Sequence, residues 1–420
     1  MAFFSIIVVL SAALHYYLWA RLIRDTTAPG RWRRVGTIAI AGLGIFATVT
    51  FMITRTVAVD AWWLAWPGYT WIGLLFYLLI VLLILEVPRM ILAFRWRSRN
   101  RKRSRPSASL TTKENTLVTA DGQEDADAET PAGESASSGP ASLLDRRVFI
   151  ARAFAATAGI TAACTVGYGM YTAFSDLRTV RATVPLRGLH SSASGFRIAL
   201  VSDTHFGPLI HEEMAARVVR HVNRQQVDMV AIVGDLVDGT IDAVGHKIDG
   251  LRHLKSRLGT YFVTGNHEYS SGADSWLERV RELGMTPLLN DRVEIPSGRA
   301  AFNLAGVNDI AAPMYDASGP DYDQALSDRD PAHPVVLLAH QPVQVFDAIE
   351  HGVDLQLSGH THGGQTVPFD RITGLQQPVV SGLASMSGTS IFVTRGAGFF
   401  GPPVRVGVPP EIAIIELQAR

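Results

Sequence analysis

The segment Leu357-Ser358-Gly359-His360-Thr361-His362-Gly363-Gly364-Gln365 sets two imidazoles one residue apart between glycines. Alternating apolar residues, Val353, Leu355 and Leu357, lead into it and predict the rim of a strand. In extended chain, residues i and i+2 share a face, so His360 and His362 are expected to reach one common centre. That is metal-ligand spacing, although a His-x-His pair alone is as often a surface or packing feature.

Upstream residues sharpen this reading. Of the 13 histidines, only His15 precedes residue 190. Residues 196–201 predict a strand that ends in Ser202-Asp203-Thr204-His205, again with i, i+2 spacing. The periodicity of Met214, Val218, Val219 and Val222 predicts a helix over 211–226. A strand over 229–233 ends in Gly234-Asp235, and an amphipathic segment over 244–258 precedes a strand over 260–264 ending in Gly265-Asn266-His267-Glu268. Strands over 335–339 and 355–358 lead to His340 and to the His360/His362 pair. In open α/β sheets ligands bind beyond the carboxyl ends of strands, so this pattern converges metal-type residues on one edge. Taken singly, each has a bland role: an Asp at a strand end caps a turn, and Gly-Asn makes one. Five such positions in series are hard to assign to chance.

In that order the motifs Asp-x-His, Gly-Asp, Gly-Asn-His-Glu, His and Gly-His-x-His resemble those of the calcineurin-like metallophosphoesterases, over about residues 180–420. The resemblance implies a four-layer α/β sandwich, two mixed β-sheets flanked by helices. It further implies two divalent metal ions, manganese, iron or zinc. Asp203, His205, Asp235 and His362 would hold the first, while Asp235, Asn266, His340 and His360 would hold the second, with His267 near the leaving group. Physical logic agrees: a carboxylate offers two oxygens on one stem for bridging, and the ions lower the pKa of a bridging water for in-line attack. With two carboxylates against two divalent ions the centre stays positive for a phosphoryl group. Asp238 and Glu268 are candidates for orienting histidines, and Arg395 and Arg405 for binding non-bridging oxygens. The tail 394–412 resembles a bacterial membrane-associated branch that includes proteins with twin-arginine signals and phosphodiesterases acting on lipid-linked substrates.

The elements that must position this chemistry occupy the second half of the chain. The first half carries apolar runs over 3–20, 35–54 and 69–87, each long enough to cross a bilayer. Arg21, Arg24, Arg31, Arg33 and Arg34 fill the first connection, and eight basic residues from Arg89 to Arg105 follow the third run. By the positive-inside rule both are cytoplasmic. The region 1–105 therefore predicts a multi-span membrane anchor. Residues 106–144 are rich in Ser, Ala, Thr, Gly and acidic side chains and predict a disordered linker. Asp145-Arg146-Arg147-Val148-Phe149-Ile150 opens an apolar stretch to 176, either a twin-arginine export signal or a fourth transmembrane helix. Both readings put the C-terminal domain on the extracytoplasmic side. Cys164 is the only cysteine, so no intramolecular disulfide forms, and zero net charge gives no nucleic-acid signal.

The expected function is that of a membrane-anchored dinuclear-metal phosphohydrolase, a phosphodiesterase or pyrophosphate-cleaving enzyme that acts on a lipid- or envelope-linked phosphoester through a metal-bridging hydroxide. No obligate protein partner is evident. A phosphomonoesterase or protein phosphatase of the same fold is the alternative, and a non-catalytic membrane sensor or scaffold is the reading from another class.

Overall fold

The protein is described by a computed structural model covering residues 2–56, 60–103, 140–297 and 300–420. It divides into two compact units, one of residues 1–11, 41–77 and 162–420, the other of residues 12–40 and 78–161. Four long helices precede the first strand: α1 (Ala2–Leu18), α2 (Arg31–Thr56), α3 (Trp62–Arg103) and α4 (Pro140–Ala173). They contain four stretches long and apolar enough to cross a membrane, Ser5–Arg24, Arg31–Thr54, Trp62–Leu92 and Arg146–Ala173. With 42 residues, α3 is about 63 Å long, twice the thickness of a hydrocarbon core. Most of the predicted linker lies outside the described residues, and residues 140–144 belong to α4.

Among the described residues the second half of the chain contains two six-stranded mixed sheets. The first has the order β1 (Arg178–Leu186), β12 (Glu411–Ala419), β2 (Phe196–Val201), β3 (Met229–Val233), β4 (Thr260–Val263), β5 (Met285–Pro287). The second runs β10 (Gly382–Met386), β11 (Thr389–Val393), β9 (Leu355–Ser358), β8 (Val335–Leu338), β7 (Ala300–Gly306), β6 (Asp291–Ser297). Strands β2, β3 and β4 are parallel neighbours, as are β7, β8 and β9, so their carboxyl ends gather on one edge of each sheet.

Alternation explains the layering. Ile198 and Leu200 of β2 point to the interior with Val336, Leu338, Leu355 and Leu357 of the other sheet, while Ala199 and Val201 point outward. Phe196 meets Phe302 edge-on across the interior at 5.1 Å. Against the outer face lies α5 (Glu212–Asn223), which buries Met214, Val218 and Val222; each contributes about 1.5–3 kcal/mol of burial. A third apolar cluster, including Leu337, Ala339 and Ala348, covers the outer face of the second sheet. The result is a four-layer sandwich. The segment expected as an amphipathic helix over 244–258 is instead a short α-turn followed by 3-10 turns over Gly245–His253.

Candidate metal centre

Each strand that points its carboxyl end at the common edge stops just before its polar residues. Strand β2 ends at Val201, and the chain then turns through Asp203 and His205, both left-handed with φ near 50°. Asp235, His360 and His362 are left-handed too. Such backbone costs about 1–3 kcal/mol per non-glycine residue and persists only where its surroundings hold it. Here Asp203 and His205 donate their backbone N–H groups to the Gly234 and Asp235 carbonyls, and Gly398 N–H donates to the Asp203 carbonyl.

This turning sets aside the spacing argument that pairs His360 with His362 on one face and agrees with the division the family resemblance implies. They are not in extended chain, so the two-residue alternation does not apply. His362 joins Asp203 and His205, and His360 joins Asp235 and His340. In the first group the Nε2 atoms of His205 and His362 lie 2.9 Å apart, with Asp203 Oδ1 3.5 Å from His362 Nε2. In the second, His340 Nε2 is 3.2 Å from His360 Nδ1 and 3.1 Å from Asp235 Oδ2. The same Oδ2 is 3.9 Å from His205 Nε2, so Asp235 stands between the groups.

The donor set fits two hard or borderline cations. Asn266 Oδ1 is buried with no hydrogen-bond partner, a costly state for an amide oxygen unless a cation takes it up. His340 Nδ1–H donates to the Val233 carbonyl at 2.7 Å, which fixes the ring with Nε2 toward Asp235, where a metal ion would take the place of the Nε2 proton. Burial, with His340 beside it, pushes His360 down to about 3, and burial together with His205 and Arg405 holds His362 well below its ordinary value. Both rings are therefore neutral bases at pH 7. Burial raises Asp203, with Asp235 adding to the rise. Burial opposes ionisation of Asp235 as well, but His340 and its neighbouring imidazoles outweigh it and hold the carboxylate well below the usual range.

Close backbone approach makes this density possible. A Cβ on Gly234 would sit 2.7 Å from His340 Nδ1, and one on Gly359 would collide with Ser202 and Asp203.

Around these groups the other expected residues take distinct places. Asp238 accepts from His205 Nδ1 at 3.0 Å and from His267 Nδ1 at 2.5 Å. Glu268 turns instead to the backbone. Its carboxylate accepts backbone N–H groups of Gly265, Asp235 and Leu236 at 2.7–2.9 Å and so clamps two strand-end turns together. Arg405 is fully buried and donates to the carbonyls of Gly398, Val408, Arg395 and Gly396, with Nη2 3.3 Å from His362 Nδ1. Burial lowers it to about 10. With its donors committed to carbonyls, it has no face for a substrate oxygen. Arg395 lies at the surface, 3.4 Å from Glu411.

Phe400 is the residue that spacing could not find: its ring packs on His205 at 5.6 Å and on His267 at 5.1 Å. An aromatic pair, Phe399-Phe400, before Gly401-Pro402 was the available signal. Buried Asp309, which accepts from Gln341 Nε2 at 2.9 Å, supports the turn after His340.

A family profile for calcineurin-like phosphoesterase matches residues 196–364. A metallophosphoesterase of Helicobacter pylori (strain J99) is 43% identical over 53% of this chain and 59% of its own length. A Danio rerio transmembrane protein with metallophosphoesterase domain is 35% identical over 62% of this chain and 61% of its own. The chain thus spans about three fifths of either relative. It covers far more, 85%, of an Aquifex aeolicus metallophosphoesterase at 33% identity, over 53% of this chain. Profile, relatives and the two-sheet fold agree that the chain belongs to the calcineurin-like metallophosphoesterases.

Proposed function

We propose that the protein is a membrane-anchored phosphoester hydrolase that uses two divalent metal ions. The observation that carries this is the pair of buried histidine–carboxylate groups with Asp235 between them and the orphaned Asn266 Oδ1 at their side. Asp203, His205, Asp235 and His362 would hold one ion, and Asp235, Asn266, His340 and His360 the other. Imidazole and oxygen donors without a thiolate suit manganese, iron or zinc. Bound there, the ions supply Lewis acidity for water activation and for neutralising phosphoryl charge.

The chain's own residues supply orientation and proton control. Asp238 holds the Nδ1 of His267, which aims the ring, and the carboxylate stays ionised because the His205 and His267 rings overcome its burial. His267, so held, donates a proton to the departing oxygen, an effect worth about two to four orders of magnitude in rate. Phe400 lies against His205 and His267 and keeps water from that side of the rings.

The preferred substrate is a diester or pyrophosphate bond in a lipid- or envelope-linked molecule. Support comes from the strap that carries Phe400. Gly401 sits beside the Tyr69 ring, Arg405 N–H donates to the Gly169 carbonyl at 2.9 Å, and Val404 fills the space over Gly73 and Gly169. The rim of the centre thus rests on α3 and α4, which belong to candidate spans. The charge pattern of the first half supports an extracytoplasmic catalytic domain. The packing of Gly169 and the bond from Arg152 Nε to the Thr26 carbonyl, 3.0 Å, favour α4 as a retained helix over a removed twin-arginine signal.

The test uses the full chain purified in detergent without chelator. Hydrolysis of chromogenic phosphate diesters and monoesters is compared with manganese, iron or zinc added, with Asp235→Asn as control. Metal-dependent diester turnover lost in the variant supports the reading. Monoester preference would replace it with a phosphatase, and no turnover from a metal-loaded protein would sink it.

A further inference from the structure

A second cavity lies in the unit of residues 12–40 and 78–161, in a part of the chain that the metal centre does not use. It measures about 980 Å³, and its walls include Arg24, Arg33, Arg146 and Arg152 together with the apolar side chains of Pro29 and Phe149. Among the described residues one carboxylate, Asp25, reaches this lining, and it is already engaged by Arg21 at 3.1 Å, Arg24 at 3.2 Å and Arg89 at 2.5 Å. Four guanidiniums against one committed carboxylate leave the cavity strongly cationic.

Two of these arginines are held in place by backbone. Arg33 Nη2 donates to the Arg24 carbonyl at 2.9 Å and also to that of Thr27, and Arg152 Nε donates to the Thr26 carbonyl at 3.0 Å. A guanidinium has five N–H donors, so these bonds fix the groups without exhausting them. Preorganised arginine forks match the oxygens of a phosphate.

Position identifies the source of that phosphate. Arg24 closes one candidate span, Arg31 opens the next and Arg146 opens another. Three apolar stretches stop around the same cavity, which puts it at the depth of lipid headgroups, and Val148, Phe149 and Ile150 give it an apolar wall. A free anion would have no use for that wall. We propose that this cavity binds the phosphate headgroup of an anionic phospholipid, as a structural or regulatory ligand distinct from the substrate.

The test uses the full chain in detergent and follows thermal unfolding while phosphatidylglycerol, phosphatidylcholine or inorganic phosphate is added. Phosphatidylglycerol should raise the melting temperature by several degrees at micromolar concentration, and inorganic phosphate only at concentrations at least a hundredfold higher. Arg146→Gln should weaken the lipid response about tenfold while hydrolysis of a soluble chromogenic substrate stays unchanged. Equal responses to the two lipids would overturn the proposal, and inorganic phosphate acting as well as lipid would replace it with a free-anion site. Competition between spin-labelled phosphatidylglycerol and phosphatidylcholine on the unsubstituted protein measures the same selectivity without a variant; no preference would count against the site.

Discussion

At the scale of single residues, the centre is defined by which atoms lack partners and which are held by them. Asn266 Oδ1 has none, so Asn266→Ala should lower the affinity of one of two metal ions about tenfold to a hundredfold and leave the fold intact. Metal analysis after dialysis reads this as a fall toward one ion per chain, and unchanged stoichiometry would remove Asn266 from the ligand set. The pair His340–Asp235 makes a prediction with a sign. Burial alone would lower His340, but Asp235 outweighs it and lifts the ring well above its ordinary 6.5. In the metal-free protein this raised group contributes stability that is fully present below pH 6.5 and is lost as pH rises through the folded value. Asp235, depressed, contributes stability above 3.8 that is lost as pH falls through its folded value. Metal must displace the His340 proton, so metal affinity should rise as pH climbs from 6.5 upward, with proton release at neutral pH. Calorimetry in buffers of different ionisation enthalpy measures it; binding without proton uptake by buffer would contradict the pair. Arg405 belongs here too. Because it satisfies four buried carbonyls rather than facing the rim, Arg405→Gln should destabilise the protein by about 3 kcal/mol in chemical denaturation. A change confined to KM would instead return it to substrate binding.

At the scale of elements, turns rather than strands set the chemistry. Strands β2, β3, β4, β8 and β9 were legible because their apolar runs end in polar ligand types, and β2, β3 and β9 fall on the expected residues. The left-handed turns beyond them were not legible, since even Asp and His, which are enriched at positive φ, adopt it at a small minority of positions and need tertiary packing to hold it. Sequence spacing therefore brought the members of the centre to one edge but put His360 and His362 on one face, whereas the family resemblance divided them as the two groups do. Glu268 shows the same limit: its type suggested a histidine partner, and its position made it a clamp on backbone. Strand β12 comes last in the chain yet lies between β1 and β2, a placement decided by edge pairing and burial of Ile412 and Ile414 against the outer core. The strap over 399–406 depends on small residues in the helices beneath it. Gly169→Val would drive a side chain into Val404 and Val406, and should destabilise the full chain by about 1–3 kcal/mol and lower turnover by moving Phe400. Unchanged turnover in a destabilised variant would show that the strap does not position Phe400.

At the scale of the whole molecule, Asp60, between α2 and α3, is tied to the two-sheet domain by an ion pair with buried Lys247. Lys247 is 1% exposed, and its Nζ lies 2.9 Å from Asp60 Oδ2 and 2.8 Å from the Gly207 carbonyl. Removing Asp60 leaves the ammonium buried with one carbonyl. Asp60→Ala should therefore cost roughly 2–3 kcal/mol, less than a fully enclosed pair because Asp60 keeps partial access to water. Equilibrium unfolding decides it, and Lys247→Met in the same background should recover most of the loss. A retained α4 makes a separate prediction: the mature protein should keep its full mass by mass spectrometry, and Arg146→Lys with Arg147→Lys should not block export, whereas cleavage or blocked export would restore the signal reading. The amino-acid sequence by itself determined the division into apolar and catalytic halves, the strand-end motifs and the family they resemble, because these rest on residue type and local period. The left-handed turns that send His360 and His362 to different groups, the interior seat of Arg405, the reach of Phe400 and the arginine-walled cavity were decided only by tertiary structure. Each depends on residues tens to hundreds of positions apart, whose meeting is set by sheet order and close glycine contacts that no local pattern encodes.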